Sequence, residues 1–239
     1  MTGSFAALAL SALLFTGGHF VLSGAFLRRF LIGRLGRIPY LVLYSVFAAA
    51  TLVWLIVAYA RAPRVELWGD PLWARYLVLL LMPFAAILLV CGALTASPTA
   101  VGGARVLRRD DPAPGIFKVT RHPMMWAFAL WAAVHLIANG DIASLILFGA
   151  VLTLALGGIA HLDARQRAED GRAWERLAAV TSVIPFAAAY SGRARISFAG
   201  IGAWRIALGV ALYFVLLFGH EWAFDASPWP AGFSPVPSS

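Results

Sequence analysis

Residues Arg121–Asp141 read RHPMMWAFALWAAVHLIANGD, and between the two end residues no Asp, Glu, Lys or Arg occurs. Pro123 stands where a first-turn residue needs no N–H, and Asn139-Gly140 closes the run as helix punctuation does. The stretch therefore predicts a membrane helix from Pro123 to Ala138 with a basic Arg-His-Pro at one end. It also carries His135. A histidine inside such a helix is costly unless something bonds or ligates it, so it marks a candidate site.

The rest of the chain agrees with a membrane reading. Of 239 residues 61% are hydrophobic and 13% charged, with a mean hydropathy of +0.81. A water-soluble domain does not carry this composition. Apolar windows of the length a bilayer requires recur between short charged connectors, and alternating barrel-type segments are absent. The expected fold is all-α, a polytopic bundle of about six transmembrane helices. Their expected ranges are Phe5–Phe26, Tyr40–Tyr59, Tyr76–Thr95, Pro123–Ala138, Ile142–Ala160 and Ile201–His220. Pro83 lies inside the third and is expected to kink it. The first lacks a basic leader and outlasts a signal core, so it is expected to be a mature helix.

The formal charge of +8 does not imply nucleic acid, because the basic residues sit in connectors. Of the 19, 16 fall in the first, third and fifth connectors or at Arg205; only Arg61, Arg64 and Arg75 lie on the other side. The positive-inside rule then puts both termini outside, in a bacterial inner membrane. Residues 1–224 are expected to form one transmembrane domain and 225–239 a Pro-rich extracytoplasmic tail. Tyr40, Trp54, Tyr59, Trp68, Trp73 and Tyr76 fit an interfacial aromatic belt. Cys91, the one cysteine, fits a buried small hydrophobe.

Five histidines are the notable polar marks: His19, His122, His135, His161 and His220. Neutral imidazole ligates iron, copper or zinc, and haem needs only one or two. His135 shares a helical stripe with Phe128, Trp131 and Asn139, which would combine an aromatic wall, a ligand and a hydrogen-bond partner. His19 follows Gly17 and Gly18, which admit either a flat ligand or a neighbouring helix. His122 precedes His135 by thirteen residues, about 20 Å of rise, so one metal cannot take both. His161 and His220 fall at span ends; Glu221 and Trp222 give His220 a polar, aromatic mouth. The fifth connector, with Trp174, Leu177 and Val180 on one side of a charged segment, predicts a cytoplasmic amphipathic helix lying on the membrane between spans five and six. No phosphate-cradling glycine loop, nucleophile elbow or paired-Cys motif occurs.

The Thr120-Arg121-His122-Pro123 run to His135, Asn139-Gly140-Asp141, Asp163-Ala-Arg165, Gly171-x-x-Trp174 and Thr181-Ser182-Val183-Ile184-Pro185-Phe186 together resemble the NnrU family of bacterial membrane proteins. That family is associated with denitrification and nitric oxide metabolism, and is similar to the plant ζ-carotene isomerases, which hold haem b between two histidines. The resemblance implies haem b with His19 and His135 as iron ligands. It implies a cofactor site drawing on Phe128, Trp131, Asn139, Arg121, His122 and His220. It also implies a lipophilic substrate, contact with membrane lipids, and an electron donor as partner. The Arg-His-Pro element also resembles isoprenylcysteine carboxyl methyltransferases. That implies an alternative, an S-adenosylmethionine-dependent membrane methyltransferase with Arg121, His122, Asp163 and Trp174 at its entrance. This chain departs from that pattern, with a single Asp163 where those enzymes carry a Glu pair. A non-enzymatic membrane scaffold is the third reading.

Overall fold

A computed structural model of the chain describes residues 3–99 and 103–230. Helix α1 (Phe5–Ser23) starts where the Ser4 side chain accepts the Ala7 N–H. Gly24 then extends the backbone and turns the chain into α2 (Ala25–Leu35), so the first span is shorter than the expected Phe5–Phe26. Helix α2 buries none of its residues, and Phe26 and Phe30 stand exposed among its arginines. Helix α3 (Arg37–Arg61) crosses back, followed by β1 (Glu66–Gly69) and α4 (Leu72–Leu94), which contains Pro83.

Short α5 (Ala104–Leu107) and a 3-10 turn lead to α6 (Pro123–Ala138), β2 (Gly140–Asp141) and α7 (Ile142–Glu169). The chain ends through α8 (Gly171–Ala179), α9 (Ala187–Tyr190), α10 (Phe198–Ile201) and α11 (Ala203–Phe224). Helices α1, α3, α4, α7 and α11 are long and apolar enough to cross a membrane. The sixth, α6, has 16 residues. That is about 24 Å of rise against a hydrocarbon core of about 30 Å. It packs chiefly between α4 and α7, burying Ala127, Ala132, Val134 and Ala138. Small residues permit that close fit where apolar lipid supplies no hydrophobic drive between helices.

Two elements depart from the sequence expectation. Strands β1 and β2 pair antiparallel on the side away from the arginine-rich connectors, and Trp68 Nε1 donates to the Ile137 carbonyl at 3.1 Å. A Cβ at Gly140 would collide with the Gly69 carbonyl, so glycine there permits the pairing. Secondly, the amphipathic helix α8 does not lie with its apolar face on lipid. It buries Ala173 and Leu177 in a cluster with Cys91, Leu107, Ile116, Phe117 and Ile201. The apolar stripe is thus satisfied by the chain itself, which builds a cap over the arginine-rich end of the bundle. The other cluster joins Leu8, Ala12, Phe15, Leu55, Ala132, Leu147 and Phe148 in the opposite half.

The start of the expected free tail is tied down: Arg75 donates to the carbonyls of Ser227 and Trp229, and Trp229 packs near Phe218. Of the 225–239 tail, residues 231–239 lie outside the described residues.

Candidate functional site

Side chains from three segments bond one another at the corner where α6 begins. Helix α7 has 28 residues, about 42 Å of rise, so the turns after about residue 160 project beyond the hydrocarbon layer. Asp163 sits on that projection. Its Oδ1 accepts from His122 Nε2 at 2.8 Å and its Oδ2 from an Arg121 terminal nitrogen at 2.8 Å. Arg121 Nε donates to Thr181 Oγ1 at 3.1 Å, and its backbone N–H to the Ser182 carbonyl at 2.8 Å. Thr120 Oγ1 and Trp126 Nε1 both donate to the Val183 carbonyl, each at 2.7 Å, and the Phe186 N–H bonds the Val119 carbonyl. Segment 181–186 therefore serves as the hydrogen-bonding wall of the Arg-His-Pro turn.

Arg121 and His122 are 6% and 3% exposed, which makes this a buried ion pair needing every bond it has. Burial pulls the Arg121 guanidinium below its ordinary pKa and Asp163 resists that pull; the group stays charged. Burial by itself would raise the Asp163 carboxyl. The hydrogen bond from His122, then the neighbouring His122 and Arg121 electrostatics, outweigh it and hold the carboxyl below its usual range.

An open cavity of about 370 Å³ lies against this corner, lined by Arg121, Asp163, Ala164, Arg167 and Trp174. Arg167 stacks over the Trp174 ring at 4.1 Å, with Arg121 at 5.3 Å. The arrangement offers two guanidiniums, an indole face and a carboxylate to a polar ligand.

The second place is the His135 stripe. The ring Nδ1–H donates to the Trp131 carbonyl at 2.8 Å, one turn back on the same helix. That fixes the tautomer with Nε2 carrying the lone pair, the form in which imidazole binds a metal. Trp131 and Phe148 flank the ring at 5.2 and 5.3 Å between centroids. Phe128, one further turn along, is 39% exposed. Asn139 Nδ2 donates to the His135 carbonyl, serving the helix end. The side-chain role expected for Asn139 is thus taken by the backbone.

His19 repeats the His135 pattern, its Nδ1 bonding the Phe15 carbonyl at 2.5 Å with the ring against Phe15 and Tyr44. A Cβ at Gly18 would collide with the Phe47 ring, whereas Gly17 has open space beside it. Gly18 therefore serves helix packing. Phe15 stands edge-on to the His19 ring at 4.7 Å and Phe148 beside the His135 ring at 5.3 Å, and both phenylalanines belong to one buried cluster.

His220 lies four residues from the end of α11, at about the depth of His135 and within its electrostatic reach. Its Nδ1 donates to the Ala226 carbonyl at 2.8 Å. His161 Nε2 is 3.1 Å from the Ser23 carbonyl, joining α7 to the end of α1. Among the described residues no three His, Cys, Asp or Glu side chains converge as a metal-ion site.

The sequence reading missed a third feature. Arg28, Arg37 and Arg165, taken as topology signals, line one pocket with Tyr40 and Tyr44, of which Tyr40 was read as a belt residue. Their spacing in sequence gives no hint of it, because the Gly24 turn creates the juxtaposition.

Fold and sites together define a polytopic helical membrane protein with a charged corner on one face and a ligand-ready histidine in the other half. The chain belongs to the NnrU family, whose model, described as NnrU protein, matches residues 7–228. Over 82 residues it is 33% identical to 15-cis-zeta-carotene isomerase, chloroplastic, of Zea mays, covering 34% of this chain and 22% of the maize protein. The chain thus spans less than a quarter of that relative's length. No solved structure matches.

Proposed function

We propose that this protein is an isomerase-type enzyme of the membrane that binds haem b at His135 and acts on a lipophilic, double-bonded substrate taken from the bilayer. The observation that carries the reading is the imidazole of His135, locked by the Trp131 carbonyl with Nε2 free. The similarity to a protein named for carotene isomerisation supports the substrate class. Haem, when bound, would supply a redox-active iron able to ligate a substrate or gas. His135 would hold it, and Trp131 and Phe148 would keep water from the imidazole and offer flat apolar faces to a polyene. Phe128 would line the opening toward lipid. An electron donor in the same membrane would set the iron's redox state. In this reading the membrane is the bacterial inner membrane, with the arginine-rich face in the cytoplasm. A link to nitric oxide or denitrification would enter through the same iron.

Absorbance of the detergent-purified protein, with haem supplied during expression, tests this. A Soret band is expected for the wild type and for His161→Ala, and its loss for His135→Ala. Parallel His19→Ala and His220→Ala variants identify any second ligand. No band in the wild type overturns the reading.

A second reading rests on the other region. The 370 Å³ cavity at Arg121, Asp163 and Trp174 has the charge and aromatic surface to hold S-adenosylmethionine, as in a membrane methyltransferase. Calorimetry with that cofactor decides it. Heat of binding that Trp174→Ala abolishes supports it, and no binding at millimolar cofactor removes it.

A further inference from the structure

Where α1 turns into α2 at Gly24, a pocket of about 100 Å³ opens between α1, α2, α3 and the projecting end of α7. Three guanidiniums from three helices line it: Arg28, Arg37 and Arg165, with Ser23, Tyr40 and Tyr44 beside them. One carboxylate, Glu169, reaches this group, pairing with Arg28 at 2.7 Å. Arg165 Nε is buried without a hydrogen-bond partner. A buried donor on a charged group left unmade is expensive, and its usual explanation is a ligand or ordered solvent. Arg37 opens α3, so the positive end of a 25-residue helix adds to the same field.

The volume is a few waters' worth, at about 30 Å³ each, which suits a phosphate group and excludes a nucleotide. Guanidiniums arranged around a small pocket match the planar, forked recognition of phosphate oxygens. Two further features place the mouth in the headgroup layer: exposed Phe26 and Phe30 on α2 beside its arginines, and Arg34 stacked over Phe30 at 5.3 Å. Aromatic and basic residues on a helix with no buried face are the marks of an interfacial segment.

We propose that this pocket binds a phosphate group, and that in the membrane it takes the phosphate of an anionic lipid headgroup. The pocket is separate from His135 and from the Asp163 corner, and its test is independent of the haem reading. The phosphate receives Arg165 Nε–H and the Arg37 guanidinium, and competes with Glu169 for Arg28. Its neighbour Tyr44 contacts the His19 ring at 5.6 Å, so occupancy also stiffens the α1–α3 contact at His19.

Native mass spectrometry of the full chain, released from phosphatidylcholine nanodiscs doped with phosphatidylglycerol, reads retained lipid directly. The wild type is expected to keep one phosphatidylglycerol. Arg165→Gln should weaken retention about tenfold, the size of a lost bond to a charged group. Arg34→Gln removes an equal charge outside the pocket and should change retention less, by at most about fivefold. Equal losses in the two variants would overturn the proposal, because they would report general interfacial attraction. The source is separated in detergent with inorganic phosphate at millimolar concentration. If phosphate raises the wild-type melting temperature, Arg165→Gln abolishes that rise, and no lipid is retained, the site stands and its ligand is soluble phosphate. If neither probe distinguishes Arg165→Gln from the wild type, the proposal fails. A folded Arg165→Lys variant keeping partial retention separates lost recognition from lost structure.

Discussion

The Asp163 corner and the His135 stripe belong to one helix pair, yet they solve opposite problems. At the corner, one carboxylate holds a buried arginine and a buried histidine, and the 181–186 segment bonds what remains. Along the stripe, a single imidazole bonds its own helix and faces aromatic rings, with its other nitrogen unused by the protein. The corner's network fixes its geometry and leaves a ligand its exposed faces and the unbonded Trp174 Nε1. A half-used imidazole keeps a lone pair for chemistry. Folding energy is therefore concentrated at one end of α6, and a free metal-ligating nitrogen stands at the other.

The strongest way to break this contrast is Asp163→Asn. It keeps the shape but leaves Arg121 buried and unpaired, and removal of one partner from such a pair costs about 3 kcal/mol. Thermal unfolding in detergent should show a large drop in melting temperature. His135→Ala should leave the melting temperature of the haem-free protein much closer to wild type. If the two fall equally, the division of labour is wrong.

Acid makes the same cut without mutation. A carboxyl held below its usual value in the folded state stabilises the fold above the unfolded pKa, about 3.9. That contribution disappears as pH falls through the still lower folded value. The Asp163 contribution to the melting temperature should be lost below about pH 4. In Asp163→Asn the acid limb should be shallower. Asp141 acts in the same direction: burial opposes its ionisation, but hydrogen bonds from Ser144, then Arg64, keep its carboxyl below the usual range. A residual acid limb in the variant is therefore expected.

Much of the bundle is legible in the sequence, because helix length and hydropathy follow from the bilayer and not from tertiary detail. All six apolar segments appear as helices, and Pro123 and Asn139 mark the ends of α6 as expected. The corner was legible in its pieces, Arg121, His122, Asp163 and Trp174, through motif resemblance. What could not be read was that Ser182 and Val183 offer their carbonyls to it, since backbone partners carry no residue signature. The apolar face of α8 was visible, yet its target was not, because lipid and Phe117 satisfy the same stripe equally well. Asn139 makes a related point: position on a stripe does not say whether an amide serves a ring or a carbonyl.

That last point gives a smaller test at the stripe. Asn139→Ala removes one hydrogen bond to the His135 carbonyl and should lower stability by about 1 kcal/mol. Because the amide bonds the backbone carbonyl and the ring bonds Trp131, any haem spectrum should be unchanged. A shifted Soret band with unchanged stability would return Asn139 to the ligand sphere.

The smallest effect expected on stability is the most informative about the site. Phe128 is exposed on α6, where Leu fits equally well, so Phe128→Leu should change the melting temperature by less than the equivalent of about 0.5 kcal/mol. A residue that only meets lipid should also leave activity and spectrum untouched. If Phe128 lines the opening through which a flat polyene reaches His135, the variant will keep its fold and its haem band yet turn over a lipophilic substrate more slowly. Loss of function without loss of stability at this one position would locate the opening on the lipid side of α6, and an unchanged rate would move it to the His220 end of the bundle.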